Sequence, residues 1–158
     1  MATLSPDQLV VADDWSDLSR HREMPDIDHD RLHRYRLGRL KQALVHHDAA
    51  MCLLVNPISL RYAVEYRTYG PFQSHVPTSY LFLPQDGPIV MHGAYGPPPG
   101  ADKVRKGRPL SYFDGAEELA EAARLIADDV VNYLKEIGSD NRRIAVEYVN
   151  PSLTQALL

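Results

Sequence analysis

The chain has 158 residues, a length that suits one domain with a single hydrophobic core and a polar extension. Hydrophobic residues make up 44% of it and charged residues 24%, which is typical of soluble globular proteins. The net charge of −4 gives no electrostatic reason to expect nucleic acid or a membrane surface as the main partner. No apolar run approaches the roughly 20 residues that span a bilayer. The first residues lack a secretory signal, so we expect a cytoplasmic protein.

The first part of the chain predicts an arm, a helix and a buried strand. Residues 1–29 are polar and acidic, and we interpret them as an N-terminal arm ahead of one domain over residues 30–158. Leucines recur on one side of a predicted helix over 30–47. We interpret its basic residues as a solvated face, with a phosphate site as the alternative; they are Arg31, Arg34, Arg36, Arg39 and Lys41. The continuous apolar run 50–55 then predicts a buried central strand.

The middle of the chain predicts a short helix and a hairpin. Asn56 can cap the helix, and Pro57 suits its first position, where no N–H is needed. The segments Thr78–Leu83 and Pro88–His92 predict two strands joined by a turn at 84–87. After the proline-rich connection 93–100, Leu110–Phe113 is predicted as a further short strand.

The strongest periodicity predicts a helix over 115–137. Asp114 and Glu117 have the spacing of a capping box, and Gly138 suits the C-terminal cap. A strand over Arg143–Tyr148 follows, and Asn150 with Pro151 opens a last helix. Strands alternating with helices predict an α/β fold, a mixed sheet with helices on both faces. We expect the protein to continue beyond this last helix; a docked C-terminal helix is the alternative.

The sequence offers little self-contained chemistry. The seven histidines are scattered, without a Cys-x-x-Cys or His-Glu-x-x-His motif. No Gly-x-Ser-x-Gly motif is present, and prolines interrupt the glycines of residues 93–100, which argues against a phosphate-binding loop. The single cysteine, Cys52, lies in the predicted buried strand, where we expect an inert thiol. We therefore predict neither a catalytic residue nor a metal site in this chain.

One segment, Arg61–His75, has the composition of a binding surface. It is predicted largely as a loop, and it holds three tyrosines, a phenylalanine, two arginines and a histidine, which commonly line sites when a loop displays them. The alternative is that Tyr62, Tyr66 and Phe72 simply fold back on the core.

Several segments carry a resemblance to a known family. The run Asn56-Pro57-Ile58-Ser59-Leu60-Arg61-Tyr62 is similar to the Asn-Pro-x-Asn-Ile-Arg-Tyr motif of creatinases, prolidases and aminopeptidase P. Supporting segments are Arg39–Leu44, Met51–Val55 and Arg143–Glu147. The chain therefore resembles the N-terminal domain of that family. Within it, the dimethylsulfoniopropionate lyase-like branch is most similar, on His33–Leu40, Phe72–Pro77 and Tyr112–Asp114. Ala63–Tyr66 departs from the family's Thr/Ser-Gly-Phe, which puts proline-peptide hydrolysis in doubt.

The resemblance implies a fold and a role. The fold is a ribonuclease-H-like mixed sheet of about five to six strands, and a separate catalytic domain with a divalent metal pair would follow residue 158. The implied assembly is a homodimer in which loop 65–76 covers the partner subunit's active site. Residues expected to face its small-molecule or dipeptide substrate are Arg67, Tyr69, Phe72, Gln73 and His75. A stand-alone binding domain without enzymatic activity is the alternative.

Overall fold

The computed structural model describes residues 27–67, 79–111 and 116–158. Within them, the helices are α1 His29–His46, α2 Pro57–Val64, α3 Leu119–Glu136 and α4 Pro151–Leu157. The strands are β1 Met51–Leu54, β2 Tyr80–Pro84, β3 Val90–His92, β4 Lys103–Arg105 and β5 Ile144–Val146. A short 3-10 turn, Ala116–Glu118, precedes α3. No helix of the described part is long and apolar enough to cross a membrane.

The strands form one mixed sheet in the order β4-β3-β2-β1-β5. The pairs β1–β2 and β2–β3 are antiparallel, and the pairs β1–β5 and β3–β4 are parallel. Strand β1 has a neighbour on each side, as the apolar run 50–55 predicts. The predicted α/β fold with a mixed sheet flanked by helices is confirmed, with five strands in the described residues.

Two hydrophobic cores lie on opposite faces of this sheet, because successive strand residues point to opposite sides. Leu53 packs with Ile126 and the rest of the apolar stripe of α3. Its neighbour Leu54 packs on the other face with Leu44 of α1 and Leu60 of α2. The predicted placement of Leu53 and Leu54 in a central strand between helices is confirmed.

The predicted caps occur at three helix ends. The side chain of Asn56 accepts a hydrogen bond from the Ile58 N–H at 2.9 Å, and that of Asn150 accepts one from the Leu153 N–H at 2.8 Å. Each satisfies a donor that the first helical turn leaves unpaired. Gly138 follows α3 with φ 67°, the left-handed conformation that glycine adopts most easily.

Two sequence predictions about local structure need correction. Leu110 and Ser111 are not in a strand, and the rest of the predicted strand Leu110–Phe113 lies outside the described residues. The sheet instead gains β4, an edge strand with exposed Lys103. With one apolar residue, Val104, between two charged ones, this segment is too short for an alternation pattern to mark it in the sequence. The α-helical part of 115–137 begins only at Leu119, after the 3-10 turn.

The predicted capping box at the start of that helix is not seen in the described residues. Asp114 lies outside them, and the N-cap residue of α3, Glu118, makes no side-chain capping hydrogen bond.

Candidate functional site

A cleft of about 340 Å³ opens where the start of α1 meets the end of α2. Among the described residues, its lining combines three guanidinium groups, one carboxylate, the His29 imidazole and apolar surface; it includes Arg36, Arg61, Arg67, Glu65, Tyr62 and Ile58. The three arginines and the glutamate give an excess of two positive charges. Such a lining attracts anions, and the volume suits a small molecule.

A contact between the two helices forms one wall of the cleft. Arg61 and Tyr62 lie in the last turns of α2, whose start is set by the Asn56 cap. The Cζ atom of Arg36, from α1, lies 5.3 Å from the centroid of the Tyr62 ring. This is within the range of a cation–π interaction, which holds the guanidinium group against the ring.

A left-handed residue ends α2 and redirects the chain. Glu65 has φ 56°, and its N–H donates a hydrogen bond to the Arg61 carbonyl at 3.1 Å. Tyr66 then turns into the core, where its hydroxyl lies 3.4 Å from the Ser79 Oγ. This contact joins residues on the two sides of segment 68–78, which lies outside the described residues.

Only one of the predicted site residues falls within the described part. Arg67 is exposed and lines the cleft. The other four lie outside the described residues, so their role stays a prediction; they are Tyr69, Phe72, Gln73 and His75. For Tyr66, the alternative of folding back on the core is confirmed, and Tyr62 is half-buried.

The sequence interpretation missed two members of the cleft. It assigned Arg36 to a solvated helix face and did not include Arg61 among the site residues, but both line the cleft. Neither residue carries a local signal, because the charge pattern of one helix does not show which other element lies beside it.

The described residues do not fit a divalent metal pair. Among them, no group of three or more His, Cys, Asp or Glu side chains lies close enough together to hold a metal ion. Cys52 is half-buried; this burial, followed by the negative charge of Glu147, raises the pKa of its thiol to about 12. A thiolate nucleophile is therefore disfavoured there.

Gly100 packs against the end of α2 and leaves no room for a side chain at its own position. A Cβ placed on Gly100 would lie 2.8 Å from the Val64 Cα and 2.5 Å from the His33 Cε1. We expect Gly100→Ala to lower the free energy of unfolding by about 1–3 kcal/mol, because backbone has to move to admit the methyl group. Urea unfolding measures this. Gly96→Ala is the control, since nothing lies within 4 Å of a Cβ there; equal stability of the two variants would contradict the packing.

Comparisons with known proteins give two relatives that share one activity. The chain is 29% identical over 132 residues to the dimethylsulfoniopropionate lyase DddP of Roseovarius nubinhibens, a match covering 80% of this chain and 29% of that protein. It is also 29% identical over 152 residues to the protein of the same name from Roseobacter denitrificans, covering 92% of this chain and 33% of the relative. The chain thus spans about a third of the curated relatives it matches. No model of a known protein family matches it.

Proposed function

We propose that this chain is the non-catalytic N-terminal domain, over residues 30–158, of a metal-dependent lyase or hydrolase of the creatinase/prolidase type. Its parent enzyme acts on a small molecule, with dimethylsulfoniopropionate as the leading substrate. The domain contributes contacts to a homodimer, and the loop after α2 covers the partner subunit's active site. The divalent metal pair and the catalytic residues belong to a second domain.

One observation carries this proposal: 132 and 152 residues of the chain align with two lyases about three times as long. The mixed sheet supports it, because that architecture is the one the family resemblance implies. The cleft adds chemical support. Dimethylsulfoniopropionate carries a carboxylate and a sulfonium cation, and guanidinium groups are the usual partners of carboxylates.

Kinetics of the full-length parent enzyme test the proposal. We expect Arg67→Ala, Phe72→Ala and His75→Ala to raise KM about tenfold or to change substrate preference, because each removes a group that holds the substrate. Metal content and melting temperature should stay as in the wild type, since none of these residues binds metal. Arg34→Ala is the control, an exposed arginine of α1 away from the cleft. If all three variants match the wild type in every kinetic constant, the loop does not cover the site.

A second candidate function is that of a stand-alone binding domain, which the cationic cleft favours. The two candidates differ in what the gene encodes. A reading frame continuing into a domain with an Asp, Asp, His, Glu and Glu metal set supports the enzyme. A frame that ends at Leu158, together with ligand binding by the chain alone, supports the binding domain.

A further inference from the structure

The charges of the cleft are not balanced within the described part of the chain. Arg36, Arg61 and Arg67 line it with Glu65, and none of the four makes an ion pair with another described residue. Arginines elsewhere do pair with carboxylates, at distances of 3.3 Å or less; these are Arg105, Arg108, Arg124 and Arg143. Three like charges around one cleft repel one another, and a bound anion relieves that repulsion.

Glu65 has a backbone conformation that is unfavourable for a glutamate. Its φ of 56° is left-handed, where the Cβ of most residues is crowded. The other non-glycine residue with positive φ in the described chain is Asp48, a type that tolerates this region and whose side chain contacts Asn141 and Arg143. Glycine would end α2 at position 65 without cost. The backbone conformation therefore does not explain the presence of a glutamate. Backbone strain of this kind is found most often at functional sites.

The position of the Glu65 side chain explains why a glutamate lies at this turn. It is half-buried and lines the cleft as the single carboxylate among the described residues. Arg61 and Arg67 are exposed at the same cleft, whereas Arg36 is held on the Tyr62 ring. The cleft therefore presents two exposed cationic groups together with one carboxylate of opposite charge.

We propose that this cleft is a binding site for a small zwitterion, whose carboxylate pairs with Arg61 and Arg67 and whose cationic end pairs with Glu65. The inference deepens the proposed function and rests on it for the substrate class. Arg61 and Glu65 are then specificity-determining residues: the arginine holds the anionic end, and the glutamate rejects molecules that lack a cation. The side chains are accessible to water, so binding is weak and falls as salt rises.

Titration of the 158-residue chain with dimethylsulfoniopropionate at low ionic strength tests the site. We expect saturable amide chemical-shift changes at residues 58–67, with a dissociation constant of about 1 mM. Arg61→Gln should weaken binding about tenfold, whereas Arg34→Gln should leave it unchanged. Propionate, which lacks the cation, should bind about tenfold more weakly than the zwitterion. Shifts absent from residues 58–67, or the same affinity for propionate and the zwitterion, would overturn the inference.

Two substitutions at position 65 separate recognition from folding. Glu65→Gln keeps the size of the side chain and removes its charge, so the preference for the zwitterion over propionate should disappear. Glu65→Gly should do the same while raising the melting temperature by about 2–4 °C, because glycine relieves the left-handed strain. A Glu65→Gly variant that keeps the preference would refute the role of the carboxylate. These titrations measure binding and not catalysis. If they show no selective binding while the kinetic effects in the full-length enzyme are found, this inference is wrong and the proposed function stands.

Discussion

Replacing Leu54 with alanine is expected to lower the free energy of unfolding by about 2–5 kcal/mol. Leu54 lies in the central strand β1, and only 6% of its surface is exposed. The substitution removes apolar contact with Leu44 and Leu60 and leaves a cavity that two helices and a sheet cannot easily close. Urea unfolding followed by circular dichroism measures the change.

Val45→Ala is a suitable control for that substitution. Val45 lies next to Leu44 in α1, but 60% of its surface is exposed. We expect its replacement to change the free energy of unfolding by about 0.5 kcal/mol or less, as is usual at the surface. Similar losses in both variants would mean that Leu54 does not lie in a closed core.

Acid is expected to weaken the fold through one buried histidine. His92 ends β3 and is 2% exposed, with its ring stacked on that of Tyr80 at a centroid distance of 4.6 Å. Burial, followed by the positive charge of Arg105, lowers the pKa of His92 to about 4. In an unfolded chain, the pKa of histidine is about 6.5.

The direction of the pH effect follows from these two pKa values. Between about pH 6.5 and pH 4, the unfolded chain binds a proton at His92 that the folded chain does not bind. The contribution of His92 to the free energy of unfolding is therefore fully present above about pH 6.5. It is lost as the pH falls towards 4, by about 3 kcal/mol in all. Arg105 and Lys103 lower the pKa of Glu136 to about 2. Protonation of this carboxylate therefore lowers the free energy of unfolding only below about pH 4.5.

Urea unfolding between pH 7.5 and pH 4.5 isolates the contribution of the histidine. We expect the free energy of unfolding of the wild type to fall by about 3 kcal/mol over that range. His92→Phe keeps a ring beside Tyr80 but cannot bind a proton, so its stability should change much less over the same range. The comparison uses the slope with pH, which is independent of the absolute stability of the variant. Equal slopes would show that His92 does not govern the acid response.

Local patterns in the sequence were sufficient to predict the helices and the central strand. Leucine spacing predicts α1 and the apolar stripe predicts α3, because a helix buries side chains at a fixed period. The continuous apolar run at 50–55 predicts β1, because a central strand is buried on both faces. The Asn-Pro pairs predict the starts of α2 and α4, since capping uses atoms within one turn of the helix. These features depend on residues close together in the chain, and the sequence alone therefore determined them.

The pairing of distant segments was decided only by the tertiary structure. Strand β4 exists because Lys103–Arg105 pairs with the open sheet edge beside β3, which no pattern within three residues could reveal. The cleft likewise needs Arg36 of α1 and Arg61 of α2 to line the same space, although they are 25 positions apart in the sequence. The left-handed turn at Glu65 was not predicted either, because a glutamate gives no sign of that conformation. These charged side chains come together only in the folded chain, because their positions depend on how the two helices pack on the sheet.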